Sequence, residues 1–303
     1  MAKVQRIDGE ALFGRDEWAA LNRRSAWRGI AMVAHAWLII VLAFGIAVVT
    51  QHPLVIAIAA LVIGSRQLGL TILMHEGAHG LLTDNKRLND ILGHWFCAFP
   101  TGLDMFAYRA YHLKHHRFAQ QDEDPDLVLS APFPVTRWSL ARKTFRDLTG
   151  LTFLKLRVLP LFLALFGRRK WHFSDSALLG SSILIALVCY AAGCGWAFWI
   201  LWLLPYATWQ MWVTRLRNIS EHAGTTRDND AWRVARTTRA GVLARIFIAP
   251  YHVNFHAEHH LFMWTPCYRL PRIHAELRRK GEIEANTMSV APSYRHVLQE
   301  VTL

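Results

Sequence analysis

The chain has 303 residues, 53% hydrophobic and only 18% charged, with 34 Lys and Arg against 22 Asp and Glu. The low charge fraction and positive mean hydropathy (+0.17) exclude a disordered or collagen-like chain. Four cysteines without a CxxC pair (Cys97, Cys189, Cys194 and Cys267) exclude a disulfide framework and a zinc ribbon.

The polar segment 1–29 lacks a small-residue cleavage site and is expected to carry no signal peptide. Ile30–Thr50 is apolar and long enough to cross a bilayer as a helix. Gln51-His52-Pro53 reads as a tight turn before a second span, 54–74. Leu151–Phe166 is apolar but interrupted by Lys155, Arg157 and Pro160, the pattern of a helix lying on a membrane surface. A third span covers 177–192, and Gly193-Cys194-Gly195 separates it from a fourth, 196–213. The expected fold is therefore an all-α integral membrane protein: one domain over 1–303, four transmembrane helices in two hairpins, and a helical cap. Trp27, Trp196, Trp209 and Trp212 fall near span ends, as in an aromatic belt.

The basic residues follow this division. Six precede Ile30, fourteen lie between His75 and Lys170, and thirteen follow Trp212, while 29–65 and 171–214 contain none. By the positive-inside rule, segments 1–29, 75–176 and 214–303 are expected on the cytoplasmic face of the cell inner membrane, with both termini. The net charge of +12 is then a topology signal directed at anionic lipid rather than nucleic acid. Arg66 is the one charge inside a span, which points by default to a functional role; nine residues before His75, it fits snorkelling toward the interface at least as well.

The 16 histidines carry the chemistry. Four clusters stand out: His75-Glu76-Gly77-Ala78-His79, His112-Leu113-Lys114-His115-His116, Asn218-Ile219-Ser220-Glu221-His222 and His256-Ala257-Glu258-His259-His260. Positions i and i+4 share a helix face, so His75 pairs with His79 and Asn218 with His222. Each HxxHH triplet presents three imidazoles along one stripe, and all four clusters fall on the same side of the predicted membrane. One HxxxH alone says little, but nine convergent imidazoles exceed what one ion accepts. Two five- or six-coordinate ions would use them, and imidazole suits iron, zinc, copper and nickel alike. Structural zinc would recruit cysteine, which is absent from all four clusters. Glu76, Glu221, Glu258, Asp122, Asp124 and Asp126 lie in or just after the clusters, and some are expected to orient ring N–H groups. Trp95, Phe96, Phe106, Tyr108 and Tyr111 are expected to pack or to line a channel. His252 could extend the fourth cluster but reads more simply as structural.

In cluster order, spacing and span arrangement, residues 30–270 resemble the membrane fatty-acid desaturase superfamily, which also includes hydroxylases and carotenoid ketolases. The resemblance implies a di-iron centre held by His75, His79, His112, His115, His116, His222, His256, His259 and His260, with Asn218 approaching one metal through water. It implies an oxidoreductase using O₂ as co-substrate, here a desaturase of a fatty-acyl lipid or thioester. A hydroxylase or ketolase on the same scaffold is the alternative. The first cluster has three residues between its histidines, where animal acyl-CoA desaturases have four, and Asn218–Gly224 partly matches the alkane hydroxylases. With no GxGxxG segment, no iron–sulfur cysteines and no cytochrome b5-like HPGG, electrons are expected from a separate ferredoxin, rubredoxin or b5-like donor and its reductase. A metal transporter would instead place its ligands near the bilayer midplane.

Overall fold

The computed structural model describes residues 3–303. Two long helices open the architecture, α1 (Ala26–Thr50) and α2 (Pro53–Ala78). Gln51 turns the chain between them in a left-handed conformation (φ 50°). Pro53 then starts α2 at the position where a missing N–H costs nothing, and the His52 ring accepts the Leu54 N–H. On α1, Val33, Ala36, Ile40 and Ala47 face inward, while Leu38, Val41, Leu42, Ile46 and Val49 form an exposed apolar stripe. A soluble helix would hide such a stripe; a lipid-facing helix displays it.

The second half of α2 runs through the centre of the protein, buried from Ile63 to Ala78 apart from Thr71. Its last turn lies against the π-helical stretch Leu92–Ala98. Gly77 permits this approach, because a Cβ there would stand 3.0 Å from the Gly93 Cα and the Met105 Sδ. Asp104 caps α3 (Met105–Phe118) by accepting the N–H groups of Phe106 and Ala107.

Arg137–Leu148 and Leu151–Leu165 follow, bent by 79° at their junction. In the second of these, Leu151, Leu154, Leu159, Phe162 and Leu165 are exposed, so the predicted surface segment is helical with an apolar face. Helix α4 (Phe173–Ala191) covers the third predicted span.

The fourth predicted span differs from a single straight helix. Its helical stretch from Gly195 to Ala207 widens into π turns over Phe198–Leu203 and stops at Thr208 (φ −121°, ψ −81°). Helix α5 (Trp209–His222) then starts afresh. Pro205 accounts for the irregularity: it has no N–H to donate, and its ring crowds the carbonyl one turn earlier. Among the described residues, three helices are long and apolar enough to cross a membrane, 27–50, 53–78 and 173–191. The bent pair makes up to four.

The C-terminal part is mostly helical, with one small parallel sheet of β1 (Arg236–Thr238) and β2 (Ser289–Ala291). Thr237 also bridges Phe255, which ties the sheet to the start of α6 (His256–Leu261). The N-terminal residues Phe13 and Trp18 close the far side by stacking near Phe262.

Candidate metal centre

Four helices deliver the histidines to one place. The end of α2 carries His75 and His79, α3 carries His112, His115 and His116, the last residue of α5 is His222, and α6 carries His256, His259 and His260. All nine are buried. They form two groups, in each of which one nitrogen from every ring lies within 4.8 Å of the others: His75, His79, His112, His116 and His259 in one, and His115, His222, His256 and His260 in the other. Each HxxHH triplet is therefore divided. The i, i+4 pair goes to one group and the remaining histidine to the other, because i and i+4 lie about 40° apart around a helix and i and i+3 about 60° the opposite way. The two groups adjoin, with His116 and His260 ring centres 4.3 Å apart.

The nitrogens converge in more contacts than their protons can serve. His116 Nε2 lies 3.0 Å from His112 Nε2 and 2.9 Å from His259 Nε2. In the other group, His256 Nε2 lies 2.9 Å from His222 Nε2 and 3.1 Å from His260 Nε2. One N–H cannot serve two such neighbours at once. His75 Nε2 and both nitrogens of His79 are buried with no hydrogen-bond partner. Burial holds His79, His112, His116, His256, His259 and His260 well below the ordinary imidazole range, and neighbouring rings add to the effect. Burial and then His115 push His222 down to about 3. Buried, neutral, convergent lone pairs are what two metal cations satisfy, so the residues fit a di-metal centre.

Outer partners fix several rings. His115 Nδ1–H donates to Asp124 at 2.8 Å, with Asp126 3.7 Å away. Burial raises the Asp124 carboxyl, but His115 and the backbone N–H groups of Asp126 and Gln120 outweigh it and leave it below its usual value. His222 Nδ1–H donates to the Val234 carbonyl at 3.0 Å. Glu221 lies 3.5 Å from His256 Nδ1 and accepts from Arg217 at 2.6 Å. Burial raises the Glu221 carboxyl, against the pull of Arg217. Glu76 lies 3.5 Å from His75 Nδ1 and accepts the Cys267 N–H.

Other expected partners do different work. Glu258 accepts from Thr237 and His274, so it anchors α6 to the sheet rather than orienting a ring of either group. Asp122 pairs with Arg227 at the surface. Asn218 belongs to neither group, but lines a cavity of about 750 Å³ with His112, His115, His222 and His256. Tyr108 and Tyr111 line the same cavity, whereas Trp95, Phe96 and Phe106 lie at the surface. His252 joins neither group.

Sequence reasoning missed Arg217, Val234, Thr237, His274 and Trp264, whose ring meets His79 edge-on at 5.7 Å. Only Arg217 left a signal, its i, i+4 spacing from Glu221. A second cavity, of about 820 Å³, reaches His116 and His260 past Lys3, Arg6, Arg117 and Trp264.

Comparison with known proteins agrees with this geometry. The fatty acid desaturase family matches residues 51–290. A dihydrorhizobitoxine desaturase of Bradyrhizobium elkanii is 40% identical over 23% of this chain and 20% of its own. A beta-carotene ketolase of Paracoccus sp. (strain PC1) is 24% identical over 73% of this chain and 80% of its own. An sn-1 oleoyl-lipid 12-desaturase of Picosynechococcus sp. is 21% identical over 71% of this chain and 67% of its own. The chain thus spans only a fifth of the first relative. It belongs to the fatty acid desaturase family, and its distant relatives divide between lipid desaturases and carotenoid ketolases.

Proposed function

We propose that this desaturase-family protein is an O₂-dependent di-iron enzyme that introduces a double bond into a fatty-acyl chain of a lipid or thioester. One observation carries the reading: two adjoining buried groups of five and four imidazoles open onto a partly apolar cavity. His75, His79, His112, His116 and His259 would hold one iron, and His115, His222, His256 and His260 the other, with Asn218 beside the second. When bound, the irons supply the redox power to use O₂ and two electrons in removing hydrogen from an unactivated methylene.

The protein's own groups set orientation and environment. Asp124 and the Val234 carbonyl hold the Nδ1 protons of His115 and His222, which leaves each Nε2 lone pair facing inward. Met74, Leu103, Leu129, Leu156 and Met211 line the same cavity and would hold an extended apolar chain away from water. Loss of two hydrogens from neighbouring carbons, with O₂, two electrons and two protons, gives an alkene and two waters.

The electrons would come from a separate ferredoxin, rubredoxin or b5-like carrier and its reductase. The exposed Lys3, Arg6 and Arg117 around the second cavity suit an acidic carrier, so its reduction rate should fall as salt rises. The basic segments favour a cytoplasmic site on the cell inner membrane.

A second reading is hydroxylation or ketolation of an acyl chain, alkane or carotenoid, favoured by the ketolase match over most of both chains. Mass spectrometry of lipids from cells expressing wild type and His259→Ala separates the two. A wild-type-only species two hydrogens lighter supports desaturation, and one that gains an oxygen, with or without the loss of two hydrogens, supports the second reading.

A further inference from the structure

Arg66 does not snorkel to water: it is only 5% exposed. Its Nη2 donates to the Ile246 carbonyl, and its guanidinium carbon lies 5.8 Å from the centre of the Tyr251 ring. It faces a cavity of about 820 Å³ bounded by α1, α2 and the strap of residues 242–252. Arg28, Arg245, His35 and His252 line the same space, and no Asp or Glu does. Among the described residues, none of the three arginines has a carboxylate partner.

Arg66, buried with two further arginines at the mouth of its cavity and no carboxylate beside it, is a positive charge that calls for a counter-charge. The rest of the cavity says what kind of anion fits. Ile39, Val62, Val242 and Ile246 make an apolar wall. Around the rim, Val242 is 75% exposed and Trp27 67%, apolar and aromatic groups of the kind that sit at a membrane surface. Arg28 begins the first membrane-crossing helix, which sets the rim near headgroup level.

We infer that this cavity binds an anionic phospholipid, with the phosphate among Arg28, Arg66 and Arg245 and an acyl chain along Ile39 and Val62. The site shares no lining residue with the cavity beside His222 and contains none of the nine clustered histidines, so it is separate from the proposed substrate cavity. Its place in the fold gives it a bracing role. Tyr251 and His252 adopt positive φ (55° and 59°) four residues before the α6 histidines. The Tyr251 ring packs so close to α2 that a Cβ on Gly69 would stand 3.0 Å from it. A lipid bridging Arg28 and Arg66 to Arg245 ties that strap to the α1–α2 hairpin, whichever reaction the centre performs.

The test is native mass spectrometry of the full chain in detergent, titrated with phosphatidylglycerol, with phosphatidylcholine of the same chains, and with inorganic phosphate. Saturable retention of one phosphatidylglycerol, at least about tenfold tighter than phosphatidylcholine, is the expected result. Arg28→Gln and Arg245→Gln, both exposed, should each weaken it about tenfold, the loss of one charge-assisted hydrogen bond. Arg66→Gln should remove it, and the two exposed variants carry the test if that buried change impairs folding. Equal retention of both lipids, or binding indifferent to the arginine variants, overturns the proposal. Inorganic phosphate competing at similar concentration overturns it too, in favour of a free-anion site.

Discussion

In the group of four histidines, three rings have a partner on the side away from the cluster: His115 has Asp124, His222 the Val234 carbonyl, and His256 the Glu221–Arg217 pair. The group of five is set differently. Glu76 lies 3.5 Å from His75, but His79 and His112 have no Nδ1 partner. Ring packing takes over there, with Tyr108 stacked on His112 at 5.1 Å and Trp264 edge-on to His79. Two neighbouring sites of similar donor type thus use different means of orientation, polar in one and steric in the other. The first should respond to removal of a hydrogen-bond acceptor, the second to loss of shape.

Deleting a ring gives the largest effect. His222→Ala and His259→Ala should each reduce activity to background while membrane insertion is retained, because the spans do not depend on metal. Metal analysis should show a loss of about half the bound metal in each, from different groups. Full activity in either variant would remove that residue from the ligand set. Next, Asp124→Asn should weaken metal binding about 10- to 100-fold, in the group of four only. An equal loss from both groups would break the comparison.

The metal-free protein should be acid-sensitive in a defined direction. His222 is held at about 3 in the folded chain, against about 6.5 when unfolded. Below 6.5 the unfolded chain takes up a proton that the folded one refuses, so stability falls as pH drops from about 6.5 toward 3. The slope at this one residue is about 1.4 kcal/mol per pH unit. Thermal melting of chelator-treated protein between pH 7 and 5 would measure it, and a flat profile would contradict a neutral, buried ring. The smallest effect belongs to Tyr108→Leu, a few-fold loss of metal affinity confined to the group of five, checked by the same metal analysis.

Much of this was legible in the sequence because helices convert spacing directly into position. The i, i+4 rule placed His75 beside His79, and long apolar runs marked α1, α2 and α4. Asp124, just after the second cluster, is among the carboxylates expected to orient a ring, though the sequence does not say which ring. Other features lie beyond such reasoning. The Val234 carbonyl is a backbone group with no side-chain signature, and His274 reaches Glu258 only because α6 packs against the next helix. The fourth apolar run looked continuous, yet Pro205 and Thr208 divide it, since hydropathy registers composition and not hydrogen-bond supply. The triplets were read as single stripes. Their division between two groups depends on approach from two sides, which tertiary packing alone decides.

That division makes α3 and α6 act as rulers. Each contributes to both metal positions, so the interval between the positions is graduated by the pitch of two short helices, at 1.5 Å and 100° per residue. Neither position can be moved alone: inserting or deleting one residue within either triplet would displace both at once. A chain built this way can vary its cavities and termini freely while the interval between its two metal positions stays calibrated.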